Sequence, residues 1–279
     1  MRGSVFVPFA SAKIHDAPKS LTICLQSLLS VFQKRQGTRR LDQDVSYSVC
    51  VEMLYSDKTE NFAQRIRLAH AAGFKAVEFW LWSKKDLDSI GAALAETGVK
   101  VVGFCAEPMI SLADPANHAV FLQALPASIA VARRLGAAFL YVQGGSVLPA
   151  TPRHVQTAAL TSCMLRAADV LRGSGVTLLL EPVSDAQNGF LERAADGIPI
   201  IAAVNRSEIR LLLDIYHAAV AKEQVTESIG ENTNLIGHVH IADHPGRRGP
   251  GTGNLDIAGT IKWLRDQGYS GQFGLEHHP

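Results

Sequence analysis

From Val45 onward, two patterns of apolar residues take turns along the chain. Short, nearly continuous apolar runs alternate with stretches in which apolar side chains recur every three or four positions. The first pattern suits a strand buried on both faces, the second a helix with one face on a core. The runs predict strands at Val45–Tyr55, Ala76–Trp82, Val99–Cys105, Ala138–Gln143, Val176–Glu181, Ile209–Asp214, Gly237–Ala242 and Gln272–Glu276. The helical spacing predicts helices at Asn61–Ala72, Leu87–Thr97, His118–Leu135, 152–172, Ile198–Asn205, 221–234 and Ile257–Gln267. Gly73, Gly98, Gly136 and Gly268 stand where helices should stop, and Pro152 where one should start.

Eight strands alternating with helices predict an α/β protein, a (β/α)8 TIM barrel, and 45–279 is close to the roughly 250 residues such a domain needs. An open doubly wound sheet is the alternative, but no G-x-G-x-x-G follows the first strand. The pattern stops just after the eighth strand, so the C-terminal closing helix is expected to be missing or truncated. One side of the barrel would then need cover from the first segment or from another subunit.

Residues 1–44 follow neither pattern. They are basic, with Lys13, Lys19, Lys34, Arg35, Arg39 and Arg40 against few acids. The apolar run Leu21–Phe32 has the length of a signal peptide, yet a basic cluster follows it where a small-residue cleavage site would be needed. A transit peptide and a poorly ordered arm are alternatives. The segment reads as a dispensable, disordered N-terminal extension, with 45–279 the single catalytic domain.

Composition narrows the class. A hydrophobic fraction of 47% is ample for a large core, and a net charge of +1 gives no electrostatic footprint for nucleic acid, so no nucleic-acid partner is expected. The cysteines Cys24, Cys50, Cys105 and Cys163 form no C-x-x-C pair, and three lie in apolar segments as small buried hydrophobes. That pattern suits a reducing, cytoplasmic setting without structural zinc. No apolar run of about 18 residues exists to span a membrane.

The candidate chemistry sits at the strand ends. Glu181, Asp214, His240 and Glu276 each follow a branched aliphatic at the carboxyl end of a later strand, where a barrel displays its catalytic groups. A carboxylate among apolar neighbours has no reason to be charged unless something pairs with it. Three carboxylates and one imidazole converging there make an oxygen-rich site suited to Mg²⁺, Mn²⁺ or Co²⁺. The plainer reading is four separate strand-end groups capped by loop amides. Trp80, Trp82 and Phe104 would wall the site or the core, Arg248 would be solvated, and so would His277 and His278 at the chain end.

Several stretches carry a family resemblance: AGFKAVEFW at the second strand, LLLEPVS at the fifth, LLLDIYHA at the sixth, HVHIADHPGRRGPGTG at the seventh and YSGQFGLEHHP at the eighth. From Val45 to the end the chain resembles the xylose-isomerase-like sugar isomerases and epimerases, and among them most the hydroxypyruvate isomerase group. The resemblance implies a divalent ion held by Glu181, Asp214, His240 and Glu276, with Glu181 and Glu276 also moving protons. It implies a small-molecule substrate and a metal-dependent isomerase of a hydroxy-carbonyl compound, of the hydroxypyruvate–tartronate semialdehyde type, acting through an enediolate. His217 resembles an epimerase contact to substrate oxygen. Arg247 would neutralise a substrate carboxylate, and Glu107, ending the third strand, is a further substrate-binding candidate. Barrels of this group often pair, which makes a homo-oligomer a candidate assembly.

Two departures leave the substrate open. Hydroxypyruvate isomerases tend to carry Gln where this chain has His240, whereas ketose 3-epimerases carry His, and Asn254 follows the PGTG turn where an acid is common. The alternatives are a ketose 3-epimerase on the same site, an endonuclease IV-like nuclease, and an inactive binding barrel. The nuclease would need more metal-binding histidines and a basic groove.

Overall fold

The computed structural model describes residues 45–184 and 189–279. Eight parallel strands close on themselves in sequence order: β1 (Tyr47–Cys50), β2 (Ala76–Glu78), β3 (Lys100–Cys105), β4 (Phe139–Gln143), β5 (Thr177–Glu181), β6 (Ile209–Asp214), β7 (Ile236–Ile241) and β8 (Phe273–Leu275). Five longer helices lie between them: α1 (Phe62–Ala71), α2 (Leu87–Thr97), α3 (His118–Leu135), α4 (Arg153–Leu171) and α5 (Ala194–Val204). Two short helices, α6 (Ile215–Val220) and α7 (Val225–Ile229), and then α8 (Ile257–Asp266) complete the set among the described residues. The expected TIM barrel is the fold.

The local signals explain the helix ends. The side chains of Asn61 and Asp86 cap the first turns of α1 and α2, accepting backbone N–H groups that have no partner within the helix. Gly98 and Gly136 close α2 and α3 in the left-handed conformation, at φ 69° and 68°, which a side chain would oppose.

Three boundaries differ from the apolar pattern. The run Val45–Tyr55 pairs only as far as Cys50. There the chain turns, with the amides of Met53 and Leu54 bonded back to the Cys50 carbonyl and Arg65 bonded to the Val51 carbonyl. Val51, Leu54 and Tyr55 are buried all the same, so the apolar signal recorded burial rather than strand pairing. The stretch expected as one helix over 221–234 begins earlier and is broken into α6, α7 and a 3-10 turn at Asn232–Leu235. The helix expected at Ile198 starts at Ala194, where Glu223 accepts the amides of Ala194 and Ala195.

No helix follows β8 among the described residues, yet the seam between β8 and β1 is not bare. Outward-facing Val49, Phe273 and Leu275 are at most 1% exposed. Tyr269 packs edge-on against Phe273 at 5.4 Å, Tyr47 lies 6.4 Å from the same ring, and the Arg265 guanidinium sits over it at 4.8 Å. The predicted lack of cover is therefore made good locally. Residues 1–44 lie outside the described part, so the reading of them as an extension is not addressed. No described helix is long and apolar enough to cross a membrane.

Alternation along the strands sorts the two sides of the barrel. Outward residues join the helices in the main core, while Cys105, Tyr141, Leu179 and Leu212, with Phe139, pack inside. Cys50, Cys105 and Cys163 are free and buried, as their apolar settings suggested. Inside the barrel, a Cβ on Gly274 would lie 2.4 Å from a Glu78 oxygen. Gly274→Ala should therefore destabilise the fold by about 1–3 kcal/mol or more, as overpacking does. Gly91→Ala, in open space on α2, should be neutral or stabilise by about 0.5–1 kcal/mol. Urea denaturation of the two variants measures the contrast.

Candidate active site

Because side chains alternate in and out, a strand that ends inward also turns inward the residue two places before. β5 thus presents Leu179 and Glu181 to the interior, β6 Leu212 and Asp214, β7 His238 and His240, and the β8 strand end Gly274 and Glu276. Asp214 is in register with His240, and Gln143 of β4 with Glu181. The result is one cluster: Glu181, Asp214, His240 and Glu276 are all buried, and each offers a ligand atom within 4.8 Å of the others. The four groups expected at the strand ends come together.

The electrostatics are lopsided. Three carboxylates share a buried space in which Arg247 is the cation on hand; its Nη2 donates to Glu276 Oε2 at 2.6 Å and Asp214 Oδ2 at 3.3 Å. Trp80 Nε1 donates to the other Glu276 oxygen at 2.8 Å. Burial works against ionising Glu276, but His240, Arg247 and the Trp80 hydrogen bond outweigh it and bring its pKa down to about 2. Burial likewise opposes charge on His240, and the carboxylates of Glu276 and Glu78 override it and push the imidazole well above its usual range. Asp214 divides its oxygens: Oδ1 caps α6 by accepting the amides of Tyr216 and His217, and Oδ2 faces the cluster.

These residues fit a divalent cation. His240 Nδ1 makes no hydrogen bond although it is buried, and it points at Glu276 Oε2, 3.2 Å away, and Glu181 Oε1, 3.7 Å away. An imidazole nitrogen aimed among three carboxylates is a ligand set for a divalent ion, and a double positive charge would correct the local excess of negative charge.

The cluster opens into a cavity of about 300 Å³, the size of a small-molecule site. His217 and Arg247 both line it, as do Trp80, Tyr141 and Gln143. Glu107 is not among the lining residues. Its Oε1 accepts the amides of Trp82 and Ser83 and its Oε2 the Ser83 hydroxyl, so it braces the loop after β2. Trp82 bonds Ser128 and stays behind the wall, and Phe104 lies in the core, stacked on Phe79 at 4.9 Å. Arg248 is exposed as expected, but His277 is not solvated. It is 3% exposed, its ring bonds the His278 carbonyl, and burial lowers its pKa.

Two buried acids were given no role of their own in the sequence reading. Glu78, in the middle of AVEFWLW, lies fully inside the barrel beneath His240. A lone acid inside an apolar strand was the signal that could have found it. Asp243 is fully buried and organises the loop after β7: its carboxylate accepts the amides of His244, Gly251 and Leu255, and this loop carries Arg247 to Glu276.

Comparison with known proteins identifies the family. Residues 66–279 match the model of the family described as xylose isomerase-like TIM barrel. The chain belongs to that family. Within the xylose isomerase-like barrels, it is 28% identical over 246 residues to a putative hydroxypyruvate isomerase of Drosophila melanogaster, covering 84% of this chain and 92% of that one. It is 32% identical over 215 residues to an L-ribulose 3-epimerase of Mesorhizobium japonicum, covering 74% and 71%. A solved structure named as an AP endonuclease of family 2 from Brucella melitensis superposes with a TM-score of 0.79 at 25% identity, covering 84% of this chain and 93% of that one.

The loop geometry yields a prediction of its own. Asp243→Ala leaves three loop amides without their acceptor and should cost about 2 kcal/mol. Limited proteolysis should show faster cleavage within 244–255, with the barrel strands still protected.

Proposed function

We propose that the protein is a divalent-metal-dependent isomerase of a small α-hydroxycarbonyl compound, of the hydroxypyruvate–tartronate semialdehyde type. The plain part is that its relatives are isomerases and epimerases of small sugar-like compounds, and this chain is an enzyme of that kind. The observation that carries the finer reading is that Glu181 and Glu276 come within 3.7 Å and 3.2 Å of His240 Nδ1 and that all three residues line one small cavity.

Moving a carbonyl along such a substrate needs three proton movements that balance. One proton leaves the hydroxyl-bearing carbon, one is returned to the former carbonyl carbon, and the hydroxyl proton shifts between the two oxygens through an enediolate. When bound, a divalent ion supplies the positive charge that offsets the charge developing on those oxygens, a contribution of several kcal/mol. Glu181, Asp214, His240 and Glu276 would hold it.

Glu181 and Glu276 are the proton carriers, and their surroundings separate their parts. Glu181 receives one long hydrogen bond, from Gln143 Nε2 at 3.3 Å, so its carboxylate is the freer to accept a proton from carbon. Glu276, engaged by Trp80 and Arg247 and ionised at rest, would take the hydroxyl proton and pass it to the other oxygen, while Glu181 returns the carbon-derived proton to the neighbouring carbon, so that both carboxylates end as they began. Asp214 is a ligand only, with one oxygen committed to the α6 cap. Arg247 lines the cavity where a substrate carboxylate would find a cation, and His217, which also lines it, would contact a substrate oxygen. Small-molecule substrate and homo-oligomer remain part of the proposal, and nucleic acid does not, since the cluster offers one imidazole and the chain a net charge of +1.

The second reading is a 3-epimerase of ketoses, favoured by His240 and by the likeness to the L-ribulose 3-epimerase. There the proton would leave one face of a carbon and return to the other, with the same two glutamates. One assay separates the readings: chelator-treated protein supplemented with Mg²⁺, Mn²⁺ or Co²⁺, on hydroxypyruvate and a panel of ketoses. Turnover should require metal, and Glu181→Gln and Glu276→Gln should each lower kcat by about 10²-fold or more. Product analysis tells carbonyl transfer from epimerisation. Turnover that survives both chelation and the two substitutions would refute the mechanism.

A further inference from the structure

Below the candidate metal cluster, the barrel holds a second polar group that the proposed chemistry does not use. Glu78 of β2 is 1% exposed and receives four hydrogen bonds. Ser48 of β1 and His238 Nε2, at 2.9 Å, donate to Oε1. Tyr141, at 2.6 Å, and His240 Nε2, at 2.8 Å, donate to Oε2. A carboxylate has about four lone-pair positions, and all are taken.

From this geometry we infer that Glu78 is a positioning residue for His240, fixing which ring nitrogen faces the metal cluster; the inference rests on the metal reading above. Oε2 can only accept, so the hydrogen of His240 must lie on Nε2. In the neutral ring that a metal ligand must be, the lone pair then lies on Nδ1, the nitrogen that points at Glu181 and Glu276. An outer carboxylate that takes the far N–H of a histidine ligand sets its tautomer and ring orientation.

The surroundings are shaped for this contact. The His240 ring stands edge-on to Tyr141 at 5.5 Å and 90°, and edge-on to His238 at 5.2 Å and 89°, so it is gripped from two sides. Both gripping rings are themselves held by Glu78. Space comes from two interior glycines. A Cβ on Gly103 would lie 2.5 Å from the Tyr141 phenol, and one on Gly274 would meet Glu78, His238 and His240 within 2.9 Å. Glu78, His238 and His240 could in principle hold an ion of their own. However, the nitrogens already contact the carboxylate directly, and Ser48 and Tyr141 fill its remaining positions, so this group acts as the support of the site above it.

The test is a Co²⁺ titration of the chelator-treated full chain, read by the visible d–d absorption of the bound ion. Glu78→Gln replaces an all-accepting group with one that must turn an N–H₂ toward a donor. It should weaken Co²⁺ binding by about 10–100-fold and alter the d–d spectrum. Ile66→Ala, in the core of α1 and away from the cluster, serves as the control. It should lower Tm while leaving Co²⁺ affinity and spectrum unchanged, which separates positioning from general destabilisation. Should Glu78→Gln not fold, Tyr141→Phe takes its place, because it removes one donor from the same Oε2. Its expected effect is a threefold or greater weakening with a changed spectrum. Wild-type affinity and spectrum in the folded Glu78→Gln protein, or in Tyr141→Phe if that variant has to be used, would overturn the inference and leave the metal reading standing. A wild-type protein that binds no Co²⁺ would overturn both.

Discussion

Like charges brought together out of water set the terms for the upper half of this barrel. Glu181, Asp214 and Glu276 arrive from three different strands and meet around the imidazole of His240. Without compensation they would repel one another, and burial would favour protonating them. The compensation is built from parts far apart in sequence: the Trp80 indole, the Arg247 guanidinium, the amides at the start of α6 and the Gln143 amide. Arg247 reaches the cluster because its loop is folded around the buried Asp243, and it is further held over the Tyr216 ring at 5.2 Å. The Gly- and Pro-rich segment after β7 is thus a folded support for one cation.

The same strand register that lifts ligands to the mouth fixes the layer beneath. His238 lies under His240, and Gly274 under Glu276. Glu78 ties this lower layer together by meeting β1, β4 and β7 at once, through Ser48, Tyr141 and the two histidines. Burial alone would raise its carboxyl pKa, but the charges and hydrogen bonds of His238 and His240 hold it well below the usual range. Slipping any of these strands by one residue would exchange inward and outward side chains and dismantle both layers together. Fold and site therefore depend on one register.

Much of this was legible in the sequence, for physical reasons. Parallel strands covered on both sides must be almost wholly apolar, so the runs at Val176–Glu181 and Ile209–Asp214 stood out, and an acid ending such a run was conspicuous. Helices that stop at Gly98 and Gly136 announced their ends. What stayed hidden depends on contacts across the barrel. The sequence located Glu107 at a strand end but not that the Trp82 and Ser83 amides would take up its oxygens. Nor could local pattern show that Glu78 would find partners 30, 63, 160 and 162 positions away. Burial without pairing misled at Val51–Tyr55, where apolar residues fill a turn, and at His277, where nearness to the chain end suggested solvent and packing gave the opposite.

On the proposed reading, the four strand-end groups form one divalent-cation site. Anomalous diffraction from crystals soaked in Mn²⁺ tests it most directly. A single strong peak is expected, enclosed by Glu181, Asp214, His240 and Glu276 on the Nδ1 side of His240, with Arg247 drawn away from Asp214. A peak on the Glu78–His238 side, or none at any Mn²⁺ concentration in well-ordered crystals, would contradict it.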